Sequence, residues 1–182
     1  ALLEMKNKRS PLKEEQVQSY LKVAKQYKID KMITVSNQFV STPTQSPLHI
    51  KSTANVKLYH LSWSYIMTQA QIILRKDRPS KTNDDQIEIM KEVNNYFEHP
   101  KSGVLGFTEM KKGWKVITGK IRSGSVIKNN DPELYEAVTS WLEEERDMAL
   151  LLSREIGVLV ETGIKKFKNN LKGRIEQESK NL

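Results

Sequence analysis

Residues 1–21 read ALLEMKNKRSPLKEEQVQSYL, an apolar run carrying Glu4 and Lys6, followed by a Ser-Pro pair and a stretch of helical period. Residues 1–7 read as a mostly buried strand. Successive side chains of a strand face opposite sides, so Leu2, Glu4, Lys6 and Lys8 share one face while Leu3 and Met5 share the other. Ser10 followed by Pro11 offers an N-cap and a proline at the first helical position, which predicts a helix from Pro11. Leu12, Val17, Tyr20, Leu21, Ala24 and Tyr27 fall on one side of that helix, with Lys13, Glu14, Lys22 and Lys25 opposite.

Further along, KMITVSNQF at 31–39 is short and rich in β-branched residues, so it reads as a second strand. Strand, helix and strand in succession make a βαβ unit with parallel, right-handed connection. Residues 40–55 form a polar connection with two prolines, long enough either to border a site or to be merely mobile. Val56 to Leu61 reads as a third strand, and Ser62 or Ser64 can cap a helix carrying Ile66, Met67, Ala70, Ile73 and Leu74. Beyond Asp77 no strand pattern follows. Helices are predicted over 83–98, around 109–122, and from Pro132 to near Asn170, with Asp131 as cap and Gly157 and Gly163 as interruptions. The organisation expected is an α/β core over 1–77 and a mostly α-helical extension over 78–182, with no internal repeat.

Composition bounds the function. The chain has 182 residues, no Cys, and 30 Lys and Arg against 22 Asp and Glu for a net charge of +8. That charge favours an acidic partner such as nucleic acid. The lack of Cys excludes disulfide scaffolds, Cys-ligated zinc and thiol catalysis, and suits a reducing cytoplasm. No apolar stretch is long enough to span a bilayer, so a soluble, cytoplasmic protein without membrane partner is expected.

Two patterns carry chemistry. Glu4 and Lys6 project together, and a carboxylate can hold a hard divalent cation while an ammonium beside it lies over an attacking water or a phosphate oxygen. A solvated edge strand gives the same triplet. The apolar flanks, and the place at the end of a parallel strand where open α/β sheets bind ligands, favour the chemical reading. Gln16 and Tyr20 lie four residues apart on the next helix, on one face that can point back at Glu4 and Lys6.

The pair LEMK and QVQSY resembles the PD-(D/E)xK nuclease superfamily, the restriction-endonuclease-like fold, in the branch whose Glu-x-Lys strand is followed by a helix bearing Gln-x-x-x-Tyr. MITVSNQF and VKLYHLSWSYI look like the next strands of a bacterial, uncharacterised nuclease-like branch. The superfamily resemblance covers roughly residues 1–75, and HPKSGVLGFTEMKKGWK resembles only that branch. It implies a partial mixed sheet with flanking helices and Mg²⁺- or Mn²⁺-dependent hydrolysis of DNA phosphodiesters, by an endonuclease or an exonuclease. It further implies that Glu4 binds the metal with the Met5 carbonyl, that Lys6 positions or polarises water, and that Gln16 and Tyr20 orient the site or contact a phosphate. The family's metal-binding Asp lies on a strand preceding the Glu-x-Lys strand, and nothing precedes Ala1. The expectation is therefore a piece of a longer protein, a poor nuclease as it stands, or a non-catalytic binding module on the same fold. Asp30, at the far end of the second strand, is a poor substitute.

Other residues point to a nucleic-acid partner, DNA first with RNA left open. Lys8, Asn37 and His60 lie on strand ends at the same sheet edge. Lys112 and Lys115 belong to a basic group with Lys111, Lys120 and Arg122 around Trp114. Each has a plainer reading: Asn37 as turn chemistry, His60 with Trp63 as core, the lysines as a solvated face with Trp114 packed inward. The Lys-rich end from Lys165 reads either as a phosphate-binding tail or as charges suited to a helix C-terminus. His49, His60 and His99 lack zinc spacing, and no glycine-rich phosphate loop is present. The helical extension offers faces such as Leu134, Val138, Trp141 and Leu142 to a second copy or a protein partner, though packing within the chain accounts for them as well.

Overall fold

A computed structural model describes residues 1–7, 10–39, 43, 44, 46–48, 50, 55–75, 84–162 and 171–181. Lys8, His49, Gly163 and the basic run from Lys165 to Lys168 lie outside the described residues.

The chain is mixed α/β, with a three-stranded parallel sheet and six α-helices among the described residues. The sheet consists of β1 (Leu2–Met5), β2 (Lys31–Ser36) and β3 (Lys57–Ser62), in the order β1-β2-β3. Both pairings are parallel, so the mixed sheet of the expectation is not seen among the described residues. The register aligns Leu2 with Met32 and Leu58, Glu4 with Thr34 and His60, and Ser36 with Ser62. One sheet face therefore passes from an apolar rung to polar rungs along the strands. Helix α1 (Glu14–Gln26) covers the apolar end, where Val17, Leu21 and Ala24 pack with Met32, Leu2 and Leu58. Full burial of a side chain such as Leu21 is worth about 1.5–3 kcal/mol.

Several expectations need correction. Helix α1 begins at Glu14 with Lys13 as N-cap, not at Pro11. Leu12 is buried, and its backbone N–H donates to Gln38 Oε1 at 3.2 Å, which holds the chain non-helical for one more turn. β1 is not mostly buried: Leu3 is 51% and Met5 55% exposed, because β1 is a sheet edge whose odd-numbered face has little over it. The opposite edge, β3, is met by the loop before it, Pro43 accepting the His60 backbone N–H at 2.8 Å.

Helix α2 (Trp63–Arg75) follows β3 directly, and Ser62 Oγ caps it by accepting the Tyr65 N–H at 3.1 Å. Helix α3 (Asp84–Glu98) leads into a 3-10 turn at Pro100–Ser102. Helix α4 (Lys112–Arg122) starts three residues after the predicted 109, and α5 (Pro132–Ile156) ends well before Asn170. Gly157 terminates α5 with φ 71°, a left-handed position that glycine adopts without Cβ strain, and its N–H closes on the Ser153 carbonyl at 2.9 Å. Helix α6 (Leu171–Asn181) packs on α5.

A second core lies here: Ile117, Leu134, Ala137, Val138, Leu142 and Ile175, with Trp114 against them. Gly113 lets α4 approach α5, since a Cβ there would sit 2.4 Å from the Glu133 carbonyl oxygen. Helix α2 links the sheet to the helices, contacting β3 as well as α3 and α5. Arg154 on α5 donates to Thr68 Oγ1 at 2.8 Å and to the Ser64 carbonyl at 3.3 Å. No helix among the described residues is long and apolar enough to cross a membrane.

Candidate functional site

Parallel strands place all their C-terminal ends along one sheet edge, and there the side chains turn polar. Glu4 and Lys6 lie on the α1-facing side of β1. Lys6 Nζ is 3.0 Å from Glu4 Oε1, with side chains 26% and 15% exposed respectively, so the pair is sheltered yet reaches water. Gln16, one turn into α1, donates Nε2–H to the same Glu4 Oε1 at 3.2 Å and to Tyr20 Oη at 3.0 Å. The structure thus brings Glu4, Lys6, Gln16 and Tyr20 into one group. Strand alternation aims the first two at the helix, and the four-residue helical spacing aims the last two back.

Beside Glu4 on the same rung stand Thr34 and His60, both enclosed, His60 with 0% of its surface exposed. His60 Nε2 lies 2.8 Å from the Gln38 carbonyl, which can only accept, so Nε2 carries a proton. In the neutral ring Nδ1 then accepts the single Thr34 hydroxyl proton at 2.9 Å, the Tyr59 carbonyl at 3.1 Å being the alternative acceptor for it. Burial lowers the His60 pKa and the bond to Gln38 partly opposes it, which favours this neutral form. His60 is a structural floor beneath the site rather than a surface group.

Asn37 also lies at this edge, but its side-chain amide is engaged by the segment after α3. Nδ2 donates to the Gly103 carbonyl at 2.8 Å, and Oδ1 accepts the Leu105 N–H at 3.0 Å. The Met5 side chain faces away from Glu4 and is exposed, which leaves its carbonyl as its available donor. Lys112 and Lys115 are exposed on α4, which packs on α5, so they stand apart from the group around Glu4. Of their basic neighbours, Lys111 pairs with Glu143 and Lys120 with Asp131, each at 2.8 Å. Trp114 packs inward. Asp30 is exposed, beside Lys31 at the opposite end of β2.

A Mg²⁺ or Mn²⁺ ion takes several oxygen ligands. β1 offers one carboxylate, whose Oε1 already meets Lys6 and Gln16, and the Met5 carbonyl. No group of three His, Asp or Glu residues able to hold a metal ion stands among the described residues. These residues do not by themselves complete a divalent-cation site.

Sequence reasoning found the local members of the group but not Thr34, which is one more β-branched residue in a strand, nor the 57-residue link by which Trp63 Nε1 donates to the Lys6 carbonyl at 2.7 Å. The register signal, a polar residue at the same depth in each of three strands, was there to be read. No protein-family model, curated protein or solved structure matches the chain.

Proposed function

We propose that this chain is a nuclease-like domain acting on DNA phosphodiesters, with Glu4, Lys6, Gln16 and Tyr20 as its share of a metal-dependent site. The observation that supports it is the bridging of Glu4 and Tyr20 by Gln16 with Lys6 Nζ 3.0 Å away, at the carboxyl edge of a parallel sheet. Glu4 and the Met5 carbonyl are β1's oxygen donors toward Mg²⁺ or Mn²⁺, and further ligands have to come from outside the described residues. Glu4 aims the Lys6 ammonium, which is placed to attract a phosphate oxygen and offset charge that develops on it. Gln16 helps to fix the Glu4 carboxylate and the Tyr20 hydroxyl. Exposed Lys112 and Lys115 supply long-range attraction for a polyanion, and the net charge of +8 adds to it. A cytoplasmic location, and a protein partner or second copy on the helical extension, belong to the same proposal.

The test is cleavage of supercoiled and linear DNA with Mg²⁺ or Mn²⁺, by the full-length protein and its Lys6→Ala and Glu4→Gln variants. Each variant is expected to lose about 10²-fold or more in rate, and chelation of the metal to abolish cutting. A second reading has its own observation: the sole carboxylate of the group is already neutralised by Lys6. Salt-sensitive DNA binding without metal dependence or cleavage establishes that reading, a non-catalytic binding module, and overturns the first.

A further inference from the structure

Lys6 is held by its backbone from two directions, β2 on one side and helix α2 on the other. Its N–H donates to the Val35 carbonyl at 2.8 Å, just past the end of β1. Its carbonyl accepts the Trp63 indole N–H at 2.7 Å. The next residue, Asn7, donates Nδ2–H to the Ser102 carbonyl, and Asn37, just past β2, closes on Gly103 and Leu105 with two bonds. Trp63 in turn lies against Phe97, ring centroids 5.5 Å apart. Both strand ends and the tryptophan therefore converge on residues 97–105.

That segment is rigidly built. Ser102 is buried, its N–H donates to the His99 carbonyl at 2.8 Å, its Oγ donates to the Phe97 carbonyl at 2.9 Å and accepts the Val104 N–H at 3.1 Å. Gly103 has φ 80°, which lets the chain turn back toward Asn37. β1, by contrast, is four residues long and is an outer strand of the sheet among the described residues, the kind of element that opens locally at low cost.

We infer that Trp63, Asn7 and Asn37 are positioning residues, a clamp through which the helical half holds the end of β1 and so keeps Lys6 within reach of Glu4. The inference rests on the Glu4–Lys6 pair being the working part of the site, but not on what that site does.

Amide hydrogen exchange on the full chain tests the clamp without any need for cleavage. Trp63→Phe keeps a ring against Phe97 and removes the indole N–H; Asn37→Asp keeps the acceptor for Leu105 and removes the donor to Gly103. Each is expected to lower protection of the Lys6 amide at least tenfold, with the amides of Leu134 and Val138 in α5 unchanged. Unchanged Lys6 protection overturns the clamp, and so does a fall shared equally by α5, which marks general destabilisation. Where the protein cuts DNA, the variants lower kcat with KM unchanged. An absence of cleavage in every form counts against the nuclease reading and leaves the exchange result to decide the clamp.

Discussion

Two regions of this molecule bury side chains in different proportions, one centred on an apolar cluster and the other mostly polar. Between α4, α5 and α6 lies an apolar cluster of Ile117, Leu134, Ala137, Val138, Leu142 and Ile175, with polar residues such as Ser140, Arg174 and Ser179 also buried on these helices. At the carboxyl edge of the sheet and the start of α2 the buried residues are mostly polar, Thr34, Ser36, His60, Ser62, Ser64 and Thr68 beside Val35 and Met67. Apolar burial is favourable without any precise partner. A buried hydroxyl or imidazole costs free energy unless its hydrogen bonds are made, and once made they fix one geometry. The helical end is thus organised for stability, and the sheet edge for exact placement of what lies above it, Glu4 and Lys6.

The contrast can be broken at its apolar side first. Leu134 is almost fully buried in the helical cluster, and Leu134→Ala should cost about 2–5 kcal/mol in urea unfolding. A cost under about 1 kcal/mol would mean that the helices do not form a tight core. Next, Gly113→Ala places a methyl against the Glu133 carbonyl and the Glu136 side chain, so α4 has to move off α5. A loss of about 1–3 kcal/mol is expected from such overpacking. An unchanged midpoint would show α4 to be loosely held.

On the polar side, His60→Phe keeps the ring's bulk but leaves the Gln38 carbonyl without its donor and Thr34 with only Tyr59 as acceptor. About 1–3 kcal/mol of stability should be lost. The pH dependence has a definite sign. The folded ring binds its proton less readily than the unfolded one, whose pKa is the ordinary 6.5. The stabilising contribution is therefore complete above pH 6.5 and declines as pH falls below it, by at most about 1.4 kcal/mol per pH unit. Urea titrations from pH 8 downward should show this decline in the parent and lack it in His60→Phe.

The same contrast explains what could be read from the sequence. Residues 1–36 were legible because their information is local: β-branched runs for β2, a helical period for α1, alternation for Glu4 and Lys6, and a four-residue spacing for Gln16 and Tyr20. Helices α3 and α4 and the start of α5 were legible for the same reason, whereas the end of α5 at Ile156 was set well short of the expected Asn170. The true start of α1 was not legible, because Ser10 and Pro11 form a good local cap, and a bond from Leu12 to Gln38, 26 residues away, overrides it. Nor was the exposure of Leu3 and Met5, since an apolar strand reads the same whether or not a layer covers it. The engagement of Asn37 by Gly103 and of Lys6 by Trp63 was beyond any period or spacing, as each joins residues more than 50 positions apart.

The smallest stability effect belongs to the group of most chemical interest. The Lys6–Glu4 pair is sheltered but wet, and ion pairs that reach solvent contribute about 0–1 kcal/mol. Lys6→Met keeps an unbranched aliphatic side chain at this position, and Glu4 retains the Gln16 amide. Urea unfolding should therefore shift by about 1 kcal/mol or less, although the same substitution removes the Lys6 ammonium from Glu4. A loss above about 3 kcal/mol would place the pair among buried ion pairs whose rupture strands a charge. Glu4 and Lys6 would then be explained by the fold itself, and the chemical reading of this sheet edge would lose its footing. A near-neutral result leaves a charged pair that the fold does not need, fixed in place by Gln16, Val35 and Trp63.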